Sequence, residues 1–379
     1  MKILQINASY KPAYIYGGPT MSVSKLSEQM QKAGCTVEVF TTTANGAAEL
    51  PVTPNQQTEV EGVPVTYFKR LTKDHSHFSP ALMQKLWKDV RKFDVVHIHA
   101  WWNLVSVFSC FIALMRGVPV IVSPRGTLSS YSFTNKNNFS KKLLHHLLGT
   151  HLLRRSAIHV TSQREKIGIE AIIHPKEIFN IPNFIALPGS IAKQAPGKEG
   201  ILKLLFFSRI EEKKGLDILL NSLSTVNVPY HLTIAGDGEA EYIDKLKEIA
   251  EKNGLSANIS WIGFQGENKF NLFQQNDLMI LPSYDENFGN VVIESLSMGT
   301  AVLVSRYVGL ADYVARSNFG WVCELDKNDI SRFINLIDTE RAQLSTIRQQ
   351  APTQIRNDFN EENLTRKYME MYKQIINNG

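Results

Sequence analysis

The first half of the chain alternates two kinds of apolar pattern. Short continuous runs, KILQIN at 2–7, TVEVFTT at 36–42, DVVHIHA at 94–100 and VPVIVSP at 118–124, are separated by stretches near 20–33, 80–92 and 103–116 with apolar residues at helical spacing. Continuous apolar strands alternating with amphipathic helices predict a parallel sheet covered on both faces. AIHVTS at 157–162 and IFNIPNF at 178–184 extend the series, and ALPGSIAKQAPGKEG at 186–200, rich in Pro, Gly and Lys, interrupts it. A second series follows at once: ILKLLFFSRI, YHLTIAGDG, ISWIGF, DLMILPS and TAVLVSR, with helices expected near 214–224, 239–253 and 288–298. The predicted fold class is α/β, with residues 1–185 and 201–360 as two doubly wound, Rossmann-like domains facing each other across a cleft. Residues 186–200 form the linker. A last helix near 361–377 follows a polar stretch and is free to pack on either domain, including back on the first. Ligands of such sheets bind at the carboxyl ends of the strands, so the chemistry is sought in the strand-end loops.

Composition narrows the choice only a little. A length of 379 residues exceeds one ordinary core and fits two domains. The 41 Lys and Arg against 36 Asp and Glu leave a net charge of +5, too mild to imply nucleic acid but suited to an anionic ligand or membrane surface. Cys35, Cys110 and Cys323 lie far apart, an odd number without metal spacing, which suggests a reducing cytoplasm. The N-terminus reads as a strand and not as a signal peptide. LVSVFSCFIALM at 104–115 is too short to span a bilayer, so no transmembrane segment is expected.

Three strand-end loops carry candidate chemistry. FSRIEEKKG at 207–215 places Arg209 and Lys214 between a strand and a helix, where a phosphate group meets cations and helix amides together; a solvated basic turn would look the same. AGDGE at 235–239 repeats that geometry, with Gly236 and Gly238 allowing the backbone close to a ligand. The first loop holds Gly17 and Gly18, but GxGxxG is absent, which argues against a nicotinamide enzyme. In SYDENFGNVVIE at 283–294, a helix starting near Phe288 would put Glu286 just before its N-terminus and Glu294 on it. Eight residues at helical rise separate the two carboxylates by roughly 12 Å, too far to share a proton or a metal. They suit the two ends of one extended ligand, with the amides of Phe288, Gly289 and Asn290 between them for an anion. Acid, amides, acid is the pattern for hydroxyls, diphosphate, hydroxyls, as in a nucleotide sugar; a capped helix with one solvated glutamate is the plainer alternative.

RIEEKKG, IAGDGE, ISWIGF and PSYDENFGNVVIESLSMGTAVLVS, in this order and spacing, resemble the C-terminal domain of the retaining glycosyltransferases of family 4, which have the GT-B fold. The second half of the chain is covered closely, the first half more loosely. The resemblance implies that Arg209 and Lys214 bind the donor diphosphate and that Glu294 accepts hydrogen bonds from the ribose. It further implies that Glu286 contacts the donor sugar with the amides of Asn287, Phe288 and Gly289, that Gly18 approaches the diphosphate, and that Ile262 to Phe264 pack near the nucleobase. Arg209 and Lys214 would stabilise the leaving diphosphate while the acceptor hydroxyl attacks from the same face. No DxD triplet occurs in the chain, and neither a divalent metal nor another cofactor is expected.

One departure concerns the first half. Many members carry a histidine and a glycine after the fourth strand, whereas this chain reads VSPRGTLSS; Arg125 takes that place and is expected to contact donor or acceptor, unless it only bonds loop carbonyls. His97 and His99 are a poor metal site without a further ligand. One is expected to reach the cleft, the other to point to the opposite face as a core histidine. Trp101 and Trp102 are acceptor-side candidates or packing residues. In 135–155, leucines 143, 144, 147, 148, 152 and 153 alternate with Lys141, Lys142, His145, His146, Arg154 and Arg155; such a helix suits an anionic bilayer or a core with a basic outer face.

The expected activity is metal-independent, retaining transfer of a sugar from a nucleoside-diphosphate sugar to a glycan or lipid-linked glycan. It would serve surface polysaccharide assembly (lipopolysaccharide, O-antigen or capsule), in the cytoplasm or on the inner face of the membrane. A hydrolysing sugar-nucleotide epimerase and a non-catalytic sugar-nucleotide-binding subunit share this architecture and remain alternatives.

Overall fold

The computed structural model describes residues 1–74, 76–129, 149–189, 200–266 and 268–378. The chain divides into two compact units, one of Met1–Phe184 with Glu361–Gly379, the other of Ile185–Asn360.

The first unit is built on β1 (Lys2–Ile6), β2 (Thr36–Thr42), β3 (Ala44–Asn45), β4 (Ala48–Glu49), β5 (Gln57–Val60), β6 (Val63–Phe68), β7 (Val95–His99), β8 (Val120–Ser123), β9 (Ala157–Val160) and β10 (Glu177–Asn180). Its sheet runs β10-β9-β8-β7-β1-β2-β6-β5, parallel except for β5, while β3 and β4 form a small antiparallel pair. The β5–β6 hairpin was not foreseen; Glu61 and Gly62 both have positive φ, the mark of a tight two-residue turn. Before the last helix, the helices among the first unit's described residues are α1 (Gly18–Lys32), α2 (Pro80–Asp89), α3 (Leu104–Met115), α4 (Thr150–Arg155) and α5 (Gln163–Glu170). Ser79, Asn103 and Ser162 start α2, α3 and α5 by accepting from a main-chain N–H three residues on. The apolar run 104–115 is therefore a core helix, with Val105, Cys110, Ile112 and Ala113 buried. Among the described residues no helix is long and apolar enough to cross a membrane.

The second unit holds β11 (Leu202–Phe207), β12 (Tyr230–Ala235), β13 (Ile259–Gly263), β14 (Leu278–Leu281), β15 (Ala301–Ser305) and β16 (Gly320–Cys323). They lie in the order β13-β12-β11-β14-β15-β16, all parallel. Helices α6 (Leu216–Leu223), α7 (Ala240–Lys252), α8 (Lys269–Gln275), α9 (Asn290–Ser297), α10 (Ala311–Ser317), α11 (Lys327–Thr339) and α12 (Arg341–Asp358) cover it. Both sheets follow the doubly wound order, reversing direction between β1 and β7 and between β11 and β14.

The polar stretch before the last helix is not loop: α12 runs through it for 18 residues with Pro352 inside. Its buried residues, Leu344, Ile347, Ala351 and Ile355, follow the helical period, but four apolar positions in a polar segment with a proline gave too weak a pattern to read.

The last helix, α13 (Glu361–Asn378), belongs to the first unit. Leu364, Tyr368, Met371, Tyr372 and Ile375 form its buried stripe. Glu361 bonds Lys25 and Gln29 of α1, each across 2.8 or 2.7 Å. At the centre of the contact the Tyr372 hydroxyl lies 2.7 Å from His97 Nδ1, and that of Tyr368 lies 3.2 Å from His159 Nε2. Burial drives His97 and His99 well below the ordinary histidine value and His159 down to about 3, with the positive Arg125 guanidinium adding to it.

Two outcomes follow from this packing. Ile347→Ala should lower the stability of the second unit by about 2–5 kcal/mol, read as a lower urea midpoint at constant slope. The histidines are neutral when folded but take up protons near pH 6.5 when unfolded. The first unit should therefore keep its full stability above that pH and lose up to about 1.4 kcal/mol per pH unit per histidine as pH falls toward 3. Melting temperatures from pH 7.5 to 4 check the sign, and His159→Gln should flatten the curve.

Candidate active site

Where a doubly wound sheet reverses direction, neighbouring strand-end loops part toward opposite faces and leave a crevice. In the second unit this point lies between β11 and β14, and the loops that follow those strands carry Lys214 and Glu286. Their side chains form an ion pair, both largely shielded from solvent. Lys213 pairs with the buried Asp285 at 3.3 Å, and Tyr284 N–H donates to the Lys213 carbonyl at 2.9 Å. Lys214 closes a short 3-10 turn ended by Gly215 at φ 71°, where an added Cβ would fall 2.0 Å from the Pro282 carbonyl oxygen. The two loops are locked face to face. Burial alone would raise the Glu286 carboxyl, but Lys214, Lys213 and Arg209 outweigh it and hold the group below the usual carboxylate range.

Arg209 is about half exposed, its side chain at 51%, and its guanidinium meets Glu211 at 2.5 Å. Glu294, on α9, accepts from Lys269 Nζ at 2.8 Å, and that ammonium sits 4.8 Å from the centre of the Phe270 ring. Lys213, Asp285 and Lys269 were not singled out from the sequence. Lysines are common in polar loops, and only the fold places these beside the glutamates.

Several expectations need correction. Helix α9 starts at Asn290, not near Phe288, because Gly289 adopts a left-handed conformation at φ 92°. Glu286 therefore does not extend that helix: it makes a parallel bridge to Val308, donating its N–H to Tyr307 O and accepting from Gly309 N–H. A separation of the glutamates derived from helical rise does not apply. The Phe288 side chain is core, packed edge-on to Phe359, so that only its main chain faces the loop. Asn287 is half-buried beside it. Gly236 is required by the chain itself, since a Cβ there would lie 1.9 Å from the Ser208 carbonyl oxygen; Gly238 stands likewise against Ile210 O at 2.1 Å. At the end of β13, Ile262 is half-buried against the core, while Phe264 is 73% exposed.

In the first unit, Gly18 is the exposed first residue of α1. Arg125 stands in the loop after β8 with φ at 53°. Its guanidinium donates to His99 Nδ1 at 3.1 Å, and to Ser22 Oγ and Asn183 Oδ1, each at 3.0 Å. Ser22 Oγ in turn donates to Gly18 O at 2.9 Å, so that one serine ties Arg125 to the glycine loop. Among the described residues, Arg125 thus bonds side chains and no loop carbonyl. His97 and His99 do not diverge: residues two apart on a strand share a face, and both are wholly buried with ring centres 4.2 Å apart. Neither faces solvent. Trp101 is also wholly buried, and Trp102 is half-buried against the same core. Of the segment 135–155, residues 135–148 lie outside the described residues; in the remainder Leu152 and Leu153 are core, and Arg154 and Arg155 are exposed.

Both halves of the chain match known families. Residues 190–353 match the family model described as glycosyl transferases group 1, and residues 17–183 match that of a glycosyl transferase 4-like domain. A 41.2 kDa protein in the cps region of Klebsiella pneumoniae is 22% identical over 371 residues, covering 93% of this chain and 99% of its own. The D-inositol 3-phosphate glycosyltransferase of Mycolicibacterium smegmatis is 26% identical over 363 residues, covering 87% and 80%. Among solved structures, sucrose-phosphate synthase from Thermosynechococcus elongatus superposes with a TM-score of 0.77 at 16% identity over the whole of both chains. Anabaena HepE, solved with UDP-glucose, gives 0.77 at 19% identity over 99% of this chain and all of its own. These likenesses show the fold, two Rossmann-like units of the GT-B type. With a family match on each unit and that fold beneath them, the chain belongs to the group 1 glycosyltransferases of the family 4 type.

Proposed function

We propose that the chain transfers a sugar from a nucleoside-diphosphate sugar to a hydroxyl of a glycan or lipid-linked glycan, with retention at the anomeric carbon. The observation that carries this reading is the Lys214–Glu286 pair at the reversal point of the second sheet, with Arg209 and Lys213 beside it. Fixed cations in a half-buried loop meet the main electrostatic demand of the reaction, the charge that gathers on the departing diphosphate. The bond from the anomeric carbon to the diphosphate oxygen breaks while the acceptor oxygen bonds that carbon on the same face. The acceptor's proton passes to the leaving phosphate. Glu286 holds the sugar hydroxyls, Glu294 the ribose, and exposed Phe264 offers a face to the base. On this reading Arg209, Lys213 and Lys214 supply the charge that other enzymes take from a divalent metal.

HepE was solved with UDP-glucose, and relatives include an inositol-phosphate glycosyltransferase and a glycogen synthase. These likenesses support an activated-sugar donor here. A role in surface polysaccharide assembly is supported by the relative from a cps region. A cytoplasmic location accords with three free, buried cysteines. Arg125 and Gly18, joined through Ser22, are assigned to the substrate side of the first unit.

Melting curves with UDP-, GDP- and ADP-sugars, with and without magnesium, test the donor, since a ligand bound by the folded state alone raises the melting temperature. One nucleotide should shift it equally in both conditions; a shift that requires magnesium removes the metal-independent reading. Lys214→Ala should lower turnover about 100-fold or more, whereas Glu294→Ala should chiefly weaken donor binding. An undiminished rate in Lys214→Ala overturns the phosphate assignment.

A further inference from the structure

We propose that Tyr372, Gln5 and His99 are positioning residues for Arg125: a one-directional chain of buried hydrogen bonds, running from the Arg125 guanidinium to the main-chain carbonyl of Ile181, sets its orientation from the C-terminal helix. The inference rests on the reading of Arg125 as a substrate contact.

The direction of the chain follows from its two ends. A guanidinium has no acceptor and a carbonyl has no donor. Arg125 Nε donates to His99 Nδ1, so that the neutral His99 ring carries its proton on Nε2. That proton goes to Gln5 Oε1 at 2.7 Å, which turns the Gln5 amide nitrogen toward the Tyr372 hydroxyl at 3.0 Å. From the other end, Ile181 O lies 2.9 Å from His159 Nε2, which must therefore hold the proton. His159 Nδ1 then accepts from Ser123 Oγ at 2.6 Å, and Ser123 accepts from His97 Nε2 at 2.7 Å. His97 Nδ1 is left as acceptor for the Tyr372 hydroxyl at 2.7 Å. Tyr372 joins the two halves: it accepts from Gln5 and donates to His97. All three imidazoles are Nε2–H tautomers, and each link has one donor and one acceptor.

Every side chain between the ends, Gln5, Tyr372, His97, Ser123, His159 and His99, is wholly buried. Water cannot replace a lost link there, so a break is transmitted along the chain. Arg125 also has φ at 53°, a conformation that a non-glycine residue keeps only where its surroundings fix it. A residue that merely filled the loop would need neither the strained backbone nor an oriented acceptor. The arrangement explains why the last helix returns to the first unit: it brings a hydroxyl that lets Gln5 and His97 both be satisfied.

The test is nuclear magnetic resonance of the full chain labelled with 15N in histidine and arginine. His97, His99 and His159 should each show the proton on Nε2 alone, unchanged from pH 8 to 5, and Arg125 Nε–H should exchange slowly. In Tyr372→Phe that exchange should rise at least about tenfold, the effect of one lost buried bond. Tyr67→Phe, another buried tyrosine outside the chain, should leave it unchanged even if stability falls. Gln5→Leu cuts the chain at the neighbouring link and replaces Tyr372→Phe should that variant not fold. An Nδ1–H tautomer at any of the three histidines, or unaltered Arg125 exchange in the cut variants, overturns the proposal. UDP release from UDP-glucose should drop about 10- to 100-fold in Tyr372→Phe and little further when Arg125→Ala is added. If the parent protein releases no UDP, that donor is wrong, while the resonances still decide whether the chain positions Arg125.

Discussion

The structure depends on one constraint: a parallel sheet must be covered on both faces, and the winding that achieves this must reverse once. In the second unit the reversal falls between β11 and β14, so the loops carrying Lys214 and Glu286 are the two that separate there. Their closeness is enforced by glycines. Gly215 lets one loop touch Pro282, and Gly236 and Gly238 let a third loop press on Ser208 and Ile210. Substituents at these positions would force backbone against backbone, so the glycines serve loop-to-loop contact, and the cations stand on supports that have little room to move.

Charge pairing in the second unit has a common form. Arg209 with Glu211, Lys213 with Asp285, Lys214 with Glu286 and Lys269 with Glu294 each set a cation against a carboxylate. Half-buried cations without partners would be costly and would spread apart. Held in pairs, they stay in place, and on the proposed reading a diphosphate exchanges one set of anionic partners for another without reorganising the loops.

The first unit solves a different problem. It buries three histidines, a glutamine, a serine and two tyrosines in its core, and it does so without leaving their ring nitrogens unsatisfied. Burial keeps the imidazoles neutral, and neutrality lets each ring pass a hydrogen bond through from one nitrogen to the other. A charged ring would donate at both ends and break the sequence of bonds.

Much was legible in the chain because parallel strands buried on both faces must be apolar throughout. KILQI, VIVS, LKLLFF and AVLVS each appear as strands, and the motifs from RIEEKKG to GTAVLVS mark the family. The sequence also determined that Lys214 and Glu286 would lie in strand-end loops. Their pairing, the core position of Phe288 and the loop-to-loop use of Gly236 were decided only by the tertiary structure, since each depends on which loops the sheet order brings together. The same holds for His97 and His99. Their spacing of two residues already put them on one face, but whether that face met solvent or the C-terminal helix was settled by the packing of Tyr368 and Tyr372, nearly 275 residues away in the chain. Local pattern fixes which elements form; the partners of a buried polar group are fixed by whatever long-range contact satisfies it.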